Sequence, residues 1–152
     1  MRVIKAPEEI YGSGSEELIF LAGSIEMGTA NDWQEEFASI LEGERVVILN
    51  PRRDDWDSSW EQSIDNPKFR EQVEWELTAM QRANVIVMHF EPNTKSPITL
   101  LELGLFANSG KLIVHCPEGY WRKGNVDIVC NRFRISQVEN LSDIKGMLWS
   151  QR

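Results

Sequence analysis

The sequence predicts an α/β fold in which a parallel sheet of four to five strands is flanked by helices on both faces. Short, continuous apolar runs recur along the chain, as expected of strands that are buried on both sides of a parallel sheet. Between these runs, apolar residues recur every three to four positions, which is the spacing of one helix face. This alternation is typical of a three-layer, flavodoxin-like or Rossmann-like arrangement.

The first half of the chain predicts two strands and one helix. Residues 18–22 form an apolar run that ends at Gly23, and this run is the first strand. A helix follows from Asp32, a residue type that caps helix N-termini, to the vicinity of residue 43. Residues 46–49 form the second strand, which stops before a proline that lacks the N–H needed for simple continuation.

The second half continues the alternation by the same patterns. Its predicted elements are a helix at residues 69–82, a strand at 85–88, a helix from residue 98 to the break at 108–110, a strand at 112–114, a final strand at 133–135 and a short helix at 143–150.

We expect one domain spanning residues 1–152, because this length is typical of a single domain. Residues 1–16 are predicted to be an N-terminal extension that precedes the core. Residues 52–67 are long, polar and rich in Trp and Asp, which is typical of a functional loop, and we interpret this segment as lid-like.

The composition excludes several classes of partner. The chain has 16 Lys and Arg against 24 Asp and Glu, and its net charge of −8 disfavours binding to nucleic acid or to anionic membranes. Cys116 and Cys130 form neither a disulfide framework nor a metal-ligand spacing with the two histidines. No signal peptide or membrane-spanning run is recognisable. We therefore expect a cytoplasmic protein without a metal or cofactor.

Loops that follow parallel strands meet at one edge of the sheet, where ligands bind. The loops expected there are residues 23–28, 52–67 and 91–96. The first could present backbone N–H groups to an anion, although a tight turn explains its glycines equally well.

Glu102 lies in the otherwise apolar stretch 98–106. A carboxylate there either occupies the one polar stripe of the helix or is held in a cleft, and the sequence leaves both open. Glu74 and Glu76 lie two apart on the preceding helix, so at most one of them should face the same crevice as Glu102. A solvated surface charge is the ordinary explanation for either residue.

Several short motifs lie in order between residues 18 and 130. They are FLAGSI at 20–25, Glu76 ahead of ANVIV at 83–87, Ser96 followed by ELG at 102–104 and by Ala107, and GNV at 124–126. Together they resemble the nucleoside 2-deoxyribosyltransferase family and the related 2′-deoxynucleoside 5′-monophosphate N-glycosidases. The resemblance implies that Glu102 is the nucleophile and that Glu76 helps handle protons or the sugar. It also implies that Asn125 reaches the nucleophile of a neighbouring subunit, in a homodimer or higher homo-oligomer with a shared active site.

The chain departs from this family at positions that bear on the substrate. Ser96 stands where the transferases have an Asp and the monophosphate glycosidases a Ser, which favours a phosphate-bearing substrate. Phe20 replaces a Tyr whose hydroxyl would position the nucleophile, and Glu76 replaces a shorter Asp. Glu26 replaces an Arg of the glycosidases and would repel phosphate unless Arg52 or Arg53 compensates.

An N-glycosidic bond breaks through an oxocarbenium-like transition state, which a carboxylate beneath the anomeric carbon can stabilise or trap covalently. We expect Glu102 to take this role. Glu76 is the first candidate for the proton donor, because burial or a nearby carboxylate would raise its pKa, and Asp55 and Asp57 are the alternatives.

Further contacts to substrate are predicted in the loops. Trp56 and Trp60 could stack on a nucleobase or plug the edge of the core, whereas Trp33 and Trp75 are expected to pack. Arg53 could bind a 5′-phosphate, or neighbouring aspartates could absorb its charge. His89 could contact a base or sugar, or be a satisfied structural histidine. The predicted substrate-binding set is Gly23, Ser24, Ile25, Arg53, Trp56, His89, Ser96 and Asn125.

These residues predict an enzyme that cleaves the N-glycosidic bond of a nucleoside or nucleoside 5′-monophosphate through a covalent glycosyl-Glu intermediate. The sugar then passes to water or to an acceptor base. Two alternatives remain open at this point, namely a glycohydrolase of NAD or another ribosyl nucleotide, and a non-catalytic nucleotide-binding module.

Overall fold

The computed structural model describes residues 1–12, 14–25 and 31–150, and in these ranges six parallel strands form one sheet. The strands are β1 (Arg2–Lys5), β2 (Glu17–Gly23), β3 (Val46–Asn50), β4 (Val85–His89), β5 (Leu112–His115) and β6 (Ser136–Val138). The helices are α1 (Trp33–Ile40), α2 (Pro67–Arg82), α3 (Pro97–Phe106), α4 (Lys123–Phe133) and α5 (Asp143–Ser150).

The strand order across the sheet is β1-β3-β2-β4-β5-β6. Without β1 this is the order of a doubly wound, flavodoxin-like sheet, whose topological switch point lies between β2 and β4. The α/β fold predicted from the sequence is confirmed. The strand number in the described residues exceeds the predicted four to five, because β1 and β6 extend the two edges.

Residues 1–16, predicted as an extension, contain the edge strand β1. This strand pairs in parallel with β3, and Ile4 lies opposite Leu49. Ile4 is the one side chain of β1 that is fully buried, so the segment shows no continuous apolar run. An edge strand with a single inward residue leaves almost no sequence signal.

The final strand predicted at residues 133–135 is wrong. Phe133 is the last residue of α4, and Arg134 ends that helix in the left-handed region with φ 55°. The strand β6 begins two residues later, at Ser136. The helix α4 escaped prediction because its buried residues are Val126 and Cys130 alone, which is too few to produce a visible apolar stripe.

Helices cover both faces of the sheet. Trp75 of α2, Leu103 of α3 and Val126 of α4 belong to the core on one face. Trp33 of α1 and Ile144 of α5 belong to the core on the other. Both tryptophans expected to pack are buried. No helix in the described ranges is long and apolar enough to cross a bilayer.

Local sequence positions the two helices that matter most for the site. The Asn66 side chain accepts hydrogen bonds from the N–H groups of Lys68 (3.1 Å) and Phe69 (3.4 Å), which caps α2 ahead of Pro67. Ser96 precedes α3 with φ 46°, a conformation that turns the chain sharply before Pro97. Both helices therefore begin at the carboxyl edge of the sheet.

Candidate active site

Glu76 of α2 and Glu102 of α3 form a carboxylate pair on one face of the sheet. Glu102 is 7% exposed and Glu76 is partly buried. Burial, and after it the charge of Glu76, raise the pKa of Glu102 to about 8. Burial raises the pKa of Glu76 to about 7, against a lowering effect of a hydrogen bond from Gln72. At a pH between these values the pair shares one proton.

The helix α3 is turned with its carboxylate inward and its apolar side outward. Ile98, Leu101 and Leu105 are each 58% exposed, whereas Glu102 and its neighbour Leu103 are buried. An ordinary surface helix has the opposite arrangement. Among the described residues none donates a hydrogen bond to Glu102, and burial and Glu76 are what perturb its pKa. The carboxylate is therefore buried without a hydrogen-bond donor among the described residues.

Glu74 and Glu76 point to different sides of α2. Glu74 is exposed and pairs with Arg70 (2.8 Å between Oε1 and Nε). Glu76 instead accepts a hydrogen bond from the amide Nε2 of Gln72 at 2.7 Å. The structure thus brings Glu76, and not Glu74, close enough to Glu102 to affect its pKa.

Three hydroxyl groups cluster where β2 ends and α3 begins. Thr94 Oγ1 lies 2.9 Å from Ser24 Oγ and 2.7 Å from Ser96 Oγ, and the two serine hydroxyls contact each other directly. The N–H of Glu91 donates to Ser24 Oγ at 3.0 Å. Ser96 makes no side-chain cap to α3, whose N-terminus carries partial positive charge. Sequence reasoning found both serines but missed Thr94, whose only signal was its place in the 91–96 loop.

A family model described as nucleoside 2-deoxyribosyltransferase like matches residues 16–120. The chain belongs to this family. The matched residues include the carboxylate pair and the hydroxyl cluster, whereas Asn125 lies beyond them. No curated protein matches the chain.

Gly23 in this nucleoside 2-deoxyribosyltransferase-like chain allows β2 to pack closely against its neighbours. A Cβ at this position would overlap the backbone oxygen of His89 and lie 2.7 Å from Trp33. The structure therefore gives Gly23 a packing role, and its predicted contact with substrate stays a prediction. Ile25 ends the described part of this loop, and Glu26 and Gly28 lie outside the described residues.

His89 lies at the end of β4 on the opposite sheet face from the carboxylate pair, in a cleft of about 410 Å³ that Trp33 also lines. Its Nδ1 lies 2.9 Å from His115 Nδ1, and its Nε2 lies 2.9 Å from the Glu91 carboxylate. Burial lowers the pKa of His89, although Glu91 opposes this effect. The structure does not bring His89 together with Glu102. Sequence reasoning gave no role to His115, which stacks on His89 with ring centroids 4.9 Å apart.

Arg53 is held by two acidic partners. Its Nε and Nη2 donate to Asp55 at 2.9 and 3.1 Å, and its Nη1 donates to Glu71 at 3.1 Å. The hydrogen bond with Asp55 is the chief reason that the pKa of Arg53 is raised. The sequence left two roles open for Arg53. Its contacts in the described residues show the second of them, in which neighbouring carboxylates neutralise its charge. They tie the 52–67 segment to α2.

Trp56 and Trp60 pack against each other edge to face, with ring centroids 5.0 Å apart. The guanidinium of Arg53 lies 5.3 Å from the Trp60 ring. The indole Nε1 of Trp56 is buried and has no hydrogen-bond partner among the described residues. The two rings thus pack against each other within the 52–67 segment, and their stacking on a base stays a prediction.

Two further positions differ in exposure. Phe20 is fully buried and packs against Trp75 with ring centroids 6.4 Å apart, so it serves the core. Asn125 is exposed on α4.

In the described ranges, no group of three or more His, Cys, Asp or Glu side chains is placed to hold a metal ion.

Proposed function

We propose that this chain cleaves the N-glycosidic bond of a 2′-deoxynucleoside or its 5′-monophosphate, with Glu102 as the nucleophile. The observation that carries the proposal is the buried carboxylate pair, in which Glu102 points inward from an apolar helix without a donor among the described residues. Such a carboxylate is costly to bury, and a nucleophile that must approach a sugar gives a reason for it.

The reaction proceeds in two displacements. The Glu102 carboxylate attacks C1′, a C1′–O ester bond forms, and the C1′–N bond breaks with its electron pair passing to the base. Glu76 donates a proton to the departing base. Water or a second base then attacks C1′, Glu102 leaves as a carboxylate, and Glu76 recovers a proton from the attacking group. Two inversions give overall retention.

This mechanism requires one proton on the pair, held by Glu76 when Glu102 attacks. The raised pKa values of about 7 and about 8 keep one proton on the pair close to neutral pH, and this proton passes from Glu102, whose pKa is the higher, to Glu76 before the attack. Ordinary carboxyl groups would both be ionised there, and no acid would remain for the leaving base.

The hydroxyl cluster of Ser24, Thr94 and Ser96 supports a phosphate-bearing substrate. Hydroxyl donors at the N-terminal end of a helix are well suited to bind an anion. We place the 5′-phosphate there rather than at Arg53, whose donors already face Asp55 and Glu71. Trp56 is proposed to contact the base.

We further propose that a second copy of the chain covers the outward face of α3. Ile98, Leu101 and Leu105 form an exposed apolar stripe on the helix that also carries Glu102, and Ile128 of α4 is 71% exposed. A stripe of this kind is typical of a protein interface. Asn125 is exposed on α4 as well, so a partner's Asn125 can complete the site.

The decisive experiment incubates the purified chain with deoxynucleosides, their 5′-monophosphates and NAD, with and without an acceptor base, and follows the released base by chromatography. We expect release from the deoxy substrates, with loss of at least a thousandfold in Glu102→Gln, in the range found when a catalytic nucleophile is removed. Glu74→Gln, an exposed carboxylate on α2, serves as the matched control and should keep full activity. Unchanged turnover in Glu102→Gln would overturn the proposal, and release of nicotinamide from NAD alone would reassign the substrate.

A further inference from the structure

We propose that Gln72 is a positioning residue that orients Glu76 and determines which of its carboxyl oxygens carries the transferable proton. This inference rests on the proposed function of the carboxylate pair. It concerns a residue that is distinct from both carboxylates and belongs to neither the hydroxyl cluster nor the 52–67 segment.

Gln72 ties Glu76 to the end of a strand. It is 5% exposed and lies four residues before Glu76 on α2, so the two side chains share one helix face. Its Nε2 donates to the backbone oxygen of Pro51 at 2.8 Å and to Glu76 Oε1 at 2.7 Å. Because Pro51 directly follows β3, the carboxyl group of Glu76 is held in register with the edge of the sheet.

The backbone of Pro51 determines the orientation of the amide. A carbonyl oxygen can only accept a hydrogen bond, so the Gln72 atom that faces it must be nitrogen. The same nitrogen faces Glu76, and its two hydrogens are thereby both used. Glu76 Oε1 must then act as an acceptor, and when Glu76 is protonated the proton lies on the other oxygen, Oε2.

The cost of this arrangement indicates that it serves more than stability. The Oε1 atom of Gln72 is buried without a hydrogen-bond partner among the described residues. An unpaired buried acceptor destabilises a fold, and a methionine of similar length would avoid that cost. The presence of an amide at this position is explained if it serves to donate a hydrogen bond to Glu76.

The hydrogen bond that Gln72 donates also affects the pKa of Glu76. It stabilises the ionised form of Glu76 and so lowers the pKa that burial raises, leaving it at about 7. The titratable group that faces Glu76 from the neighbouring helix α3 is Glu102, which it influences in turn. Without Gln72, Glu76 would keep its proton to a higher pH.

The test compares Gln72→Met with wild type across pH. We expect the alkaline limb of the kcat profile to move up by about one pH unit, because Glu76 must keep its proton and loss of one hydrogen bond to a charged group produces a pKa shift of this size. Relative to the maximum of each protein, turnover at pH 9 should then rise about fivefold, while turnover at pH 6 stays close to wild type. Gln81→Met, an exposed position on the same helix, is the matched control and should leave the profile in place. An unmoved alkaline limb in an active, folded Gln72→Met protein overturns the proposal.

A second measurement needs neither turnover nor a variant. In wild-type protein, NMR follows the Glu76 carboxyl carbon and the Gln72 side-chain amide during one pH titration. We expect the two signals to move with the same midpoint, whereas an amide signal that stays constant while Glu76 titrates contradicts the inference. If no substrate is cleaved, the proposed function fails, and this titration still decides the role of Gln72.

Discussion

Glu102 is expected to reduce the stability of the fold at neutral and alkaline pH, and Glu102→Gln should remove this cost. The pKa of Glu102 is raised from 4.5 to about 8 by burial and by Glu76. Between these values the folded chain keeps the proton on Glu102 while the unfolded chain releases it, so the contribution of Glu102 to stability is greatest below pH 4.5 and falls as the pH rises to about 8. At 1.36 kcal/mol per pKa unit, the loss is about 5 kcal/mol. Domains are typically stable by only about 5–15 kcal/mol, so the effect is large.

Urea unfolding followed by tryptophan fluorescence at pH 5, 7 and 9 measures this cost. The free energy of unfolding of Glu102→Gln should match that of wild type near pH 5 and exceed it increasingly toward pH 9, because glutamine does not titrate. The pKa of Glu76 is also raised, so the free energy of unfolding of Glu102→Gln should still fall as the pH rises, but less steeply than that of wild type. Glu74→Gln removes an exposed carboxylate from α2 and should reproduce the wild-type pH dependence. Parallel profiles for wild type and Glu102→Gln would refute the reasoning.

Three other outcomes follow from the same structure. Wild-type kcat should be greatest between about pH 7 and 8, and a rate that climbs steadily to pH 10 would contradict a shared proton. Gly23→Ala should lower the free energy of unfolding by about 3 kcal/mol, because the new Cβ meets the His89 backbone. Gly104→Ala should leave the free energy of unfolding unchanged, because a Cβ there has no atom within 4 Å. Urea unfolding of the two variants measures this difference. Arg53→Met should lower the free energy of unfolding by about 2 kcal/mol, because the hydrogen bonds to Asp55 and Glu71 are lost. A variant as stable as wild type would show that these ion pairs contribute nothing.

The fold was predictable where burial is continuous along the chain. Residues 46–49 and 85–88 are read correctly as strands because nearly every side chain in them is buried, which leaves an uninterrupted apolar run. The strand β1 and the helix α4 bury only one or two side chains, so their sequences resemble loops. Secondary structure stabilised mainly by pairing or packing at an edge carries little signal of its own.

The candidate site shows the same division. An acidic residue inside an apolar helix marked Glu102 as unusual, but only the packing of α3 shows that its carboxylate turns inward while Leu101 and Leu105 turn outward. Arg53 was equally compatible with a phosphate and with its acidic neighbours until its contacts with Asp55 and Glu71 were known. Gln72 had no signal at all, because its importance depends on a backbone oxygen far away in the chain.

By itself, the sequence determined the layered α/β architecture and the short list of polar residues at its carboxyl edge, since both follow from local periodicity and from where strands end. Only the tertiary structure decided which of those side chains meet, which are neutralised by neighbours and which are left for a ligand. The physical reason is that pKa, hydrogen-bond partners and exposure depend on groups brought together from distant parts of the chain, and residue spacing along one element does not encode them.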